Sequence, residues 1–365
     1  MLTAPTVESV PDRPVIPADP GQVHTPRLRT VLLAVGSAAI VFVTLLAFLW
    51  PTVTSTVKDL PIAVAGPPAA AAQVEKQLDA AAKGAFAVTT VDDRSAAVDL
   101  IRTRDVYGAI VVGEKPEVLT ASANGAAVSQ LLAQLAAKLQ ASAQQQADAT
   151  VAAAVASGHA PAGTHAPTIT VPVTDIVPLA STDARGLGLT AAAFPLVLGG
   201  MLGGILISVL VVGSWRRLTA VVLYAVVGGL GVAATLQAWF GILQGGFWTN
   251  ALAVGLSMLA TTAFIVGMNA LLGRIGIVIG AVLTVLVGNP LSAAAQPLQF
   301  IVGPWGAVGQ WFVPGASVTL LRDLSYFPDA NAAFPWLVLT GWALVGVATM
   351  LFGHFRNQEV TQAAA

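Results

Sequence analysis

The sequence predicts an α-helical polytopic membrane protein. Six transmembrane helices stand in a 1+5 arrangement, and an extracytoplasmic α/β domain is inserted between the first and second. Three observations lead there. Only 35 of 365 residues are charged while 56% are hydrophobic, with mean hydropathy +0.78. A soluble domain carries about 25% charged residues, and a soluble chain of this length could not hide so much apolar surface. The charges are also segregated, with 21 in residues 51–188 and six in residues 189–353. Finally, the arginines between apolar stretches alternate as the positive-inside rule requires.

Residues 1–30 hold six prolines and read as a disordered cytoplasmic tail. The first span is Val31–Trp50 (domain 31–50), twenty uncharged residues that cross a hydrocarbon core of about 30 Å. A signal peptide has a shorter apolar core and a small-residue cleavage site. This stretch ends instead in Leu49-Trp50-Pro51, so it reads as an uncleaved anchor. A five-helix membrane domain follows at 189–353. Its clear spans are Leu189–Gly213, Leu218–Leu243, Trp248–Leu272 and Phe334–Phe352. The remaining one starts at Ile275 and meets Asn289-Pro290. Proline removes a donor and clashes with the preceding turn, so this helix kinks or ends there, and spanning needs it to continue to about Ala294. Arg27 and Arg29, Arg216 and Arg217, Arg274 and Arg356 then share the cytoplasmic side, with residues 354–365 as a cytoplasmic tail. All eight tryptophans lie in or beside the membrane segments, several at span ends as an interfacial belt requires.

Two features of the membrane domain stand out. Gly199, Gly200, Gly203 and Gly204 form two interleaved G-x-x-x-G pairs, which allow close helix packing within a bundle or, alternatively, a dimer seam or moving helix. Residues 291–312 are apolar yet broken by Pro297, Gly303, Pro304, Gly306 and Gly309. Broken backbone survives at membrane depth only under protein cover, so the segment reads as a re-entrant or interfacial pair of short outer helices. A seventh span is the alternative. Arg322-Asp323 reads as an outer-surface ion pair, or else as a gate or a contact to the inserted domain.

Within 51–188, strands are expected at 61–65, 86–91, 107–112, 117–121 and 168–173, with helices at 70–83, 95–103 and 126–157. The alternation suggests a small α/β domain. Asp92-Asp93-Arg94 reads as a helix cap. His159 and His165 lack a carboxylate cluster and read as loop residues rather than metal ligands, and with no cysteine there are no disulfides or thiolate sites.

No phosphate-binding G-x-x-x-x-G-K-[ST], no G-x-S-x-G and no H-E-x-x-H occurs, so the chain reads as no enzyme, with no cofactor and no metal. Charges fall outside the spans, whereas ion-coupled carriers keep intramembrane carboxylates or histidines for the relay. A transporter of this kind would draw its energy from another chain. No basic patch suggests nucleic acid.

This architecture resembles the permease subunits of the ABC type-2 export class, closest to the phage-infection-protein-like (YhgE/Pip) branch of actinobacterial type. The residues that carry the resemblance are Asp175-Ile176-Val177-Pro178-Leu179 with Asp183-Ala184-Arg185-Gly186, the stretch Val98–Val112, and Pro314-Gly315-Ala316 with Leu321-Arg322 after the broken segment. The resemblance implies a plasma-membrane export permease for a lipophilic or envelope-related compound. It implies three partners, namely membrane lipid, a separate ATP-binding subunit and a second copy of the chain. Arg216 and Arg217 would couple to the ATPase. Pro304, Trp305, Trp311, Arg322 and Asp323 would form an outer gate. The alternative is a non-transporting envelope scaffold or surface receptor acting through its outer domain.

Overall fold

The computed structural model describes residues 26–363 except 114, 160 and 162. The expected tail at 1–30 lies, up to residue 25, outside the described residues. The chain divides into two units, Met1–Leu45 and Leu46–Ala365. It is predominantly helical, and among the described residues five helices are long and apolar enough to cross a membrane.

Helix α1 (Arg27–Val53) begins in the first unit and ends in the second. Its apolar side chains, such as Leu33, Ile40 and Phe42, are exposed as those of a lipid-facing helix are. The second unit contains a sheet with its helices, and a helical bundle. Strands β1 (Leu60–Ala65), β2 (Phe86–Val91), β3 (Gly108–Val111), β4 (Glu117–Thr120) and β5 (Val173–Asp175) form one sheet in the order β2-β1-β3-β4-β5. The β3–β4 pair is antiparallel and the other pairs are parallel. Side chains alternate across a strand, so β1 sends Leu60, Ile62 and Val64 to one face and Ala63 and Ala65 to the other. Helices α2 (Pro68–Ala81) and α4 (Ala126–Ala156) cover the first face with Leu78, Val128 and Leu132. Helix α3 (Arg94–Arg102) covers the second with Ala97 and Ile101. It is capped by the Asp93 carboxylate, which accepts from the Ala96 N–H at 2.9 Å.

The last strand differs from expectation. It lies at Val173–Asp175 rather than 168–173. Pro172 has no N–H to give a ladder, although its carbonyl accepts from Val118. The chain before it runs along α4 instead, where Gln144 and Gln140 side chains accept from the Ile169 and Val171 N–H groups.

The bundle is built around α7 (Phe247–Leu272), 78% of whose apolar window is buried. Around it stand α5 (Leu187–Leu210), α6 (Ser214–Ala233, continued by a π-helical stretch to Trp239), α8 (Arg274–Ala281, continued likewise to Gly288) and α11 (Ala333–Ala363). Helix α11 thus extends past the expected span end at Phe352 and through most of the expected 354–365 tail. Lipid supplies no hydrophobic drive between helices, so close approach and interhelical hydrogen bonds must hold them. A side chain on Gly255 would meet the α6 backbone at Ala225, and one on Gly346 would meet the α7 backbone at Ala263 and Phe264, within 2.5 Å. Thr262 donates to the Gly200 carbonyl at 3.1 Å, and Ser317 to Ser257 at 2.7 Å.

The helix from Arg274 ends at Gly288, and the continuation to Ala294 is not formed. Pro290 forbids it, and Gly288 is packed against Phe312 and Pro314. Fifteen residues at 1.5 Å each give about 22 Å, short of the roughly 30 Å hydrocarbon core. Residues 291–312 then fold on themselves through a single turn at Leu298–Phe300 and the short α9 (Trp305–Gly309). The glycines are required there. A Cβ on Gly306 or Gly309 would strike the carbonyls of Leu298 and Leu291. Helix α10 (Val313–Tyr326) follows and packs on α7 and α5 through Val313, Ala316 and Leu320.

The Gly346 crossing yields a prediction. Gly346→Leu forces α11 off α7 and should lower stability by about 1–3 kcal/mol or more. Gly341→Ala, where a Cβ meets nothing within 4 Å, should change it by less than about 1 kcal/mol. Thermal unfolding of the purified full chain in detergent reads both, and equal midpoints would refute the close-approach argument.

Candidate functional site

The two ends of the bundle differ in character. At one end the turns 211–213 and 273 join α5 to α6 and α7 to α8, and Asn269 reaches the Ser208 carbonyl at 3.5 Å. Arg216 and Arg274 are exposed there. At the other end lies the loop 240–246, and there the sheet unit is attached. Thr182 donates to the Gly241 carbonyl at 2.6 Å, and Tyr326 to the Ile242 carbonyl at 2.8 Å.

The junction at this second end is the best-built polar site among the described residues. It begins with a local oddity at the end of α3. Arg104 sits at φ 66°, in the left-handed region that usually takes glycine after a helix. The Asp105 and Val106 N–H groups both return to the Leu100 carbonyl, closing the helix end. A non-glycine residue there costs about 1–2 kcal/mol, which other contacts must offset. Arg104 makes three. Its guanidinium forms an ion pair with Asp323 of α10, its Nε donates to Asn124 Oδ1 at 2.8 Å, and it lies 5.7 Å from the Phe327 ring centroid. The Arg104 and Asp323 side chains are only 15% and 6% exposed.

Apolar contacts run beside this pair. Phe327, just after α10, is 1% exposed and belongs to the α3-side core of the sheet with Ile101, Ala109 and Leu119. Phe300, from the broken segment, packs on the other face beside Val171 and Leu135. Tyr107 donates from its hydroxyl to Gln299 Oε1 at 3.0 Å. The end of α1 and the segment after it join the same seam, with Gln296 donating to the Pro51 carbonyl and the Thr56 N–H to the Phe300 carbonyl. Burial pushes the Tyr107 phenol above its ordinary value, opposed by Arg104 and Arg322. Burial also raises the Asp323 carboxyl, opposed by Arg104. It lowers Arg322 to about 10, helped by Arg104, which leaves that guanidinium cationic at neutral pH.

The residues singled out from sequence fall into several places. Arg322 and Asp323 do not form the expected outer-surface pair with each other. Asp323 is buried against Arg104, and Arg322 donates to the Ala294 carbonyl at 3.2 Å. The reason is register, because α10 turns the two neighbours toward different elements. The five residues of the expected outer gate are split. Pro304 and Trp305 open α9 and are exposed. Trp311 meets α11, its ring against Phe334 at 5.0 Å and its carbonyl accepting from Trp342 Nε1 at 2.8 Å. Only Arg322 and Asp323 belong to the junction. The four glycines pack inside the chain. A Cβ on Gly200 or Gly204 would meet Thr261 or Ile265 of α7, and one on Gly203 would meet the Tyr224 ring of α6. The Gly199 carbonyl accepts from the Tyr224 hydroxyl at 2.6 Å. Of the two turn arginines, Arg217 donates to the Val211 and Ser208 carbonyls at 2.8 and 2.9 Å and so caps α5. Arg216 is exposed. Sequence reading missed Arg104, Phe300 and Phe327. The one available signal was an arginine where a helix-ending glycine is usual.

Removing one partner of a buried ion pair costs about 3–5 kcal/mol, because the other charge is stranded. Asp323→Asn should therefore loosen the sheet unit, seen as faster limited proteolysis within 51–188 and a lower unfolding midpoint. Arg104→Ala should be worse than Arg104→Gly by about 1 kcal/mol, since only alanine keeps the left-handed strain. An Arg104→Ala chain as stable as Arg104→Gly would contradict this account of the turn. Comparison of the chain with protein-family models, with curated proteins and with solved structures returns no match.

Proposed function

We propose that the chain is the membrane subunit of an ABC-type export system of the plasma membrane, moving a lipophilic or envelope-related compound outward. In this reading α1, α5, α6, α7 and α11 are spans, and the sixth crossing is completed by the short α8 stretch together with the non-helical segment that follows it. The sheet unit is extracytoplasmic, both termini are cytoplasmic, and residues 291–312 are re-entrant. The observation that supports it best is the absence of a proton or ion relay where one would be needed. Helices α5, α7 and α11 as far as Gly353 hold no Asp, Glu, Lys, Arg or His, and α6 and α8 hold arginine only in their first turns. Intramembrane ionisable groups mark coupled carriers, so the work would come from a separate ATP-binding subunit.

The geometry supports two further points. Helix α7 fills the bundle axis, and the cavity between α5 and α10 is only about 10 Å³. A transport path would therefore run between two copies rather than through one. Arg216, beside a 64% exposed Trp215, is the better ATPase contact, because Arg217 is committed to capping α5. A second reading, an envelope scaffold or surface receptor, is favoured by a different observation. The α5–α6 turn is only residues 211–213, which gives an ATPase little to grip.

Arg216→Glu should abolish export and reduce co-purification of an ATP-binding chain at least tenfold, with the unfolding midpoint unchanged. Purification in mild detergent after crosslinking, with mass spectrometry and an ATPase assay, reads this. A crosslinked preparation without any ATP-binding chain would overturn the export reading in favour of the scaffold.

A further inference from the structure

The junction encloses a cavity of about 130 Å³ between the starts of α4 and α5 and the end of α10. Its wall is rich in donors. Asn124 is 3% exposed. Its Oδ1 accepts from Arg104, which fixes the amide orientation, and its Nδ2 is buried with no protein partner. A buried donor left without a partner is costly, so a partner from outside the chain is called for. Ala126 and Ala127 also line the cavity. They start α4, which has no side-chain cap across its 31 residues. An uncapped helix N-terminus presents N–H groups and partial positive charge to an anion. The third contributor is Arg322, whose bond to the Ala294 carbonyl uses one of five donors.

The acids near the cavity are already committed. Arg322 and the exposed Arg185 line the cavity against a single acid, Asp183. That carboxylate is committed to the start of α5, accepting from the Leu187 and Gly188 N–H groups at 3.0 and 2.9 Å. The other nearby acids are committed too, Asp323 to Arg104 and Asp175 to the N–H and hydroxyl of Ser122 at the cavity wall.

We propose that this cavity is an oxyanion site that holds one phosphate group, either a lipid headgroup phosphate or free phosphate. A helix terminus, an amide and a guanidinium all line it, a set of donors that suits an oxyanion with several acceptor oxygens. The apolar first turns of α5 adjoin it with Leu187 and Leu189, as a headgroup site beside acyl chains would require. The site stands whether or not the chain exports anything.

The test uses the full chain purified in a maltoside detergent and measures its unfolding midpoint. One arm adds sodium phosphate against sodium chloride at equal ionic strength. The other adds phosphatidylglycerol against a neutral glycolipid at equal mole fraction. A rise of several degrees with phosphate assigns free phosphate, a rise with phosphatidylglycerol alone assigns the headgroup, and either supports the site. Asn124→Asp keeps the acceptor for Arg104 and puts a carboxylate oxygen where the orphan donor was. It should raise the half-effective anion concentration at least tenfold, and Arg322→Gln should do the same. If Arg322→Gln does not fold, Asn124→Asp decides. No rise in either arm with the wild-type chain, or an unchanged response in Asn124→Asp, would overturn the proposal.

Discussion

Two aromatic side chains from the C-terminal half of the chain enter opposite faces of a sheet made by the N-terminal half. Phe327 completes the core under α3, and Phe300 packs on the face under α2 and α4. Burying a phenylalanine is worth about 1.5–3 kcal/mol. The buried Arg104–Asp323 pair sits beside Phe327 and supplies direction more than energy, since a desolvated pair seldom gains much net stability. Together these contacts make the sheet unit part of one end of the bundle rather than a domain on a tether. Residues 298–300 and 327 thus lean on the sheet for apolar partners, while α10 between them packs on the bundle through Val313, Ala316 and Leu320.

A second constraint acts inside the bundle. Helix α7 is touched by α5, α6, α8, α10 and α11, and most of these approaches rest on a small residue. Gly200 and Gly204 face it from α5, Gly229 from α6, Gly280 from α8 and Gly346 from α11. Backbone contact of this kind replaces the hydrophobic drive that lipid withholds. It also leaves α7 tightly enclosed by its neighbours. The sheet-bearing end and the core thus do separate jobs. Small residues fix the helices, and aromatic and charged side chains fix what stands on them.

Much of this could be read from the sequence, because hydropathy and period report burial directly. The long apolar helices and the elements β1, α2, β2, α3 and α4 fall within a few residues of their expected places. The misses share a cause in tertiary contact. The strand expected at 168–173 shifted to Val173–Asp175 because Gln140 and Gln144 hold the preceding backbone against α4. The helix from Arg274 ends at Gly288, one of the two outcomes expected at Asn289-Pro290. Helix α7 is apolar on every side, so periodicity alone could not show that it is central. Its run of alanine, glycine, serine and threonine was the better clue. At the junction, Asp323 was visible as a charge, but its partner lies 219 positions away and nothing local marks the pairing. Arg104 was one arginine among many until its left-handed backbone was seen. Phe327 looked like any loop phenylalanine.

The central claim is that the sheet unit is locked to the bundle rather than hinged on it. The chain has no cysteine, so a spin-label pair can be placed without background. Labels at the exposed positions Lys76 on α2 and Thr249 on α7 would report the distance between the two parts in a lipid bilayer by double electron–electron resonance. A locked junction predicts one narrow distance distribution. A broad or two-peaked distribution in the wild-type chain would contradict it.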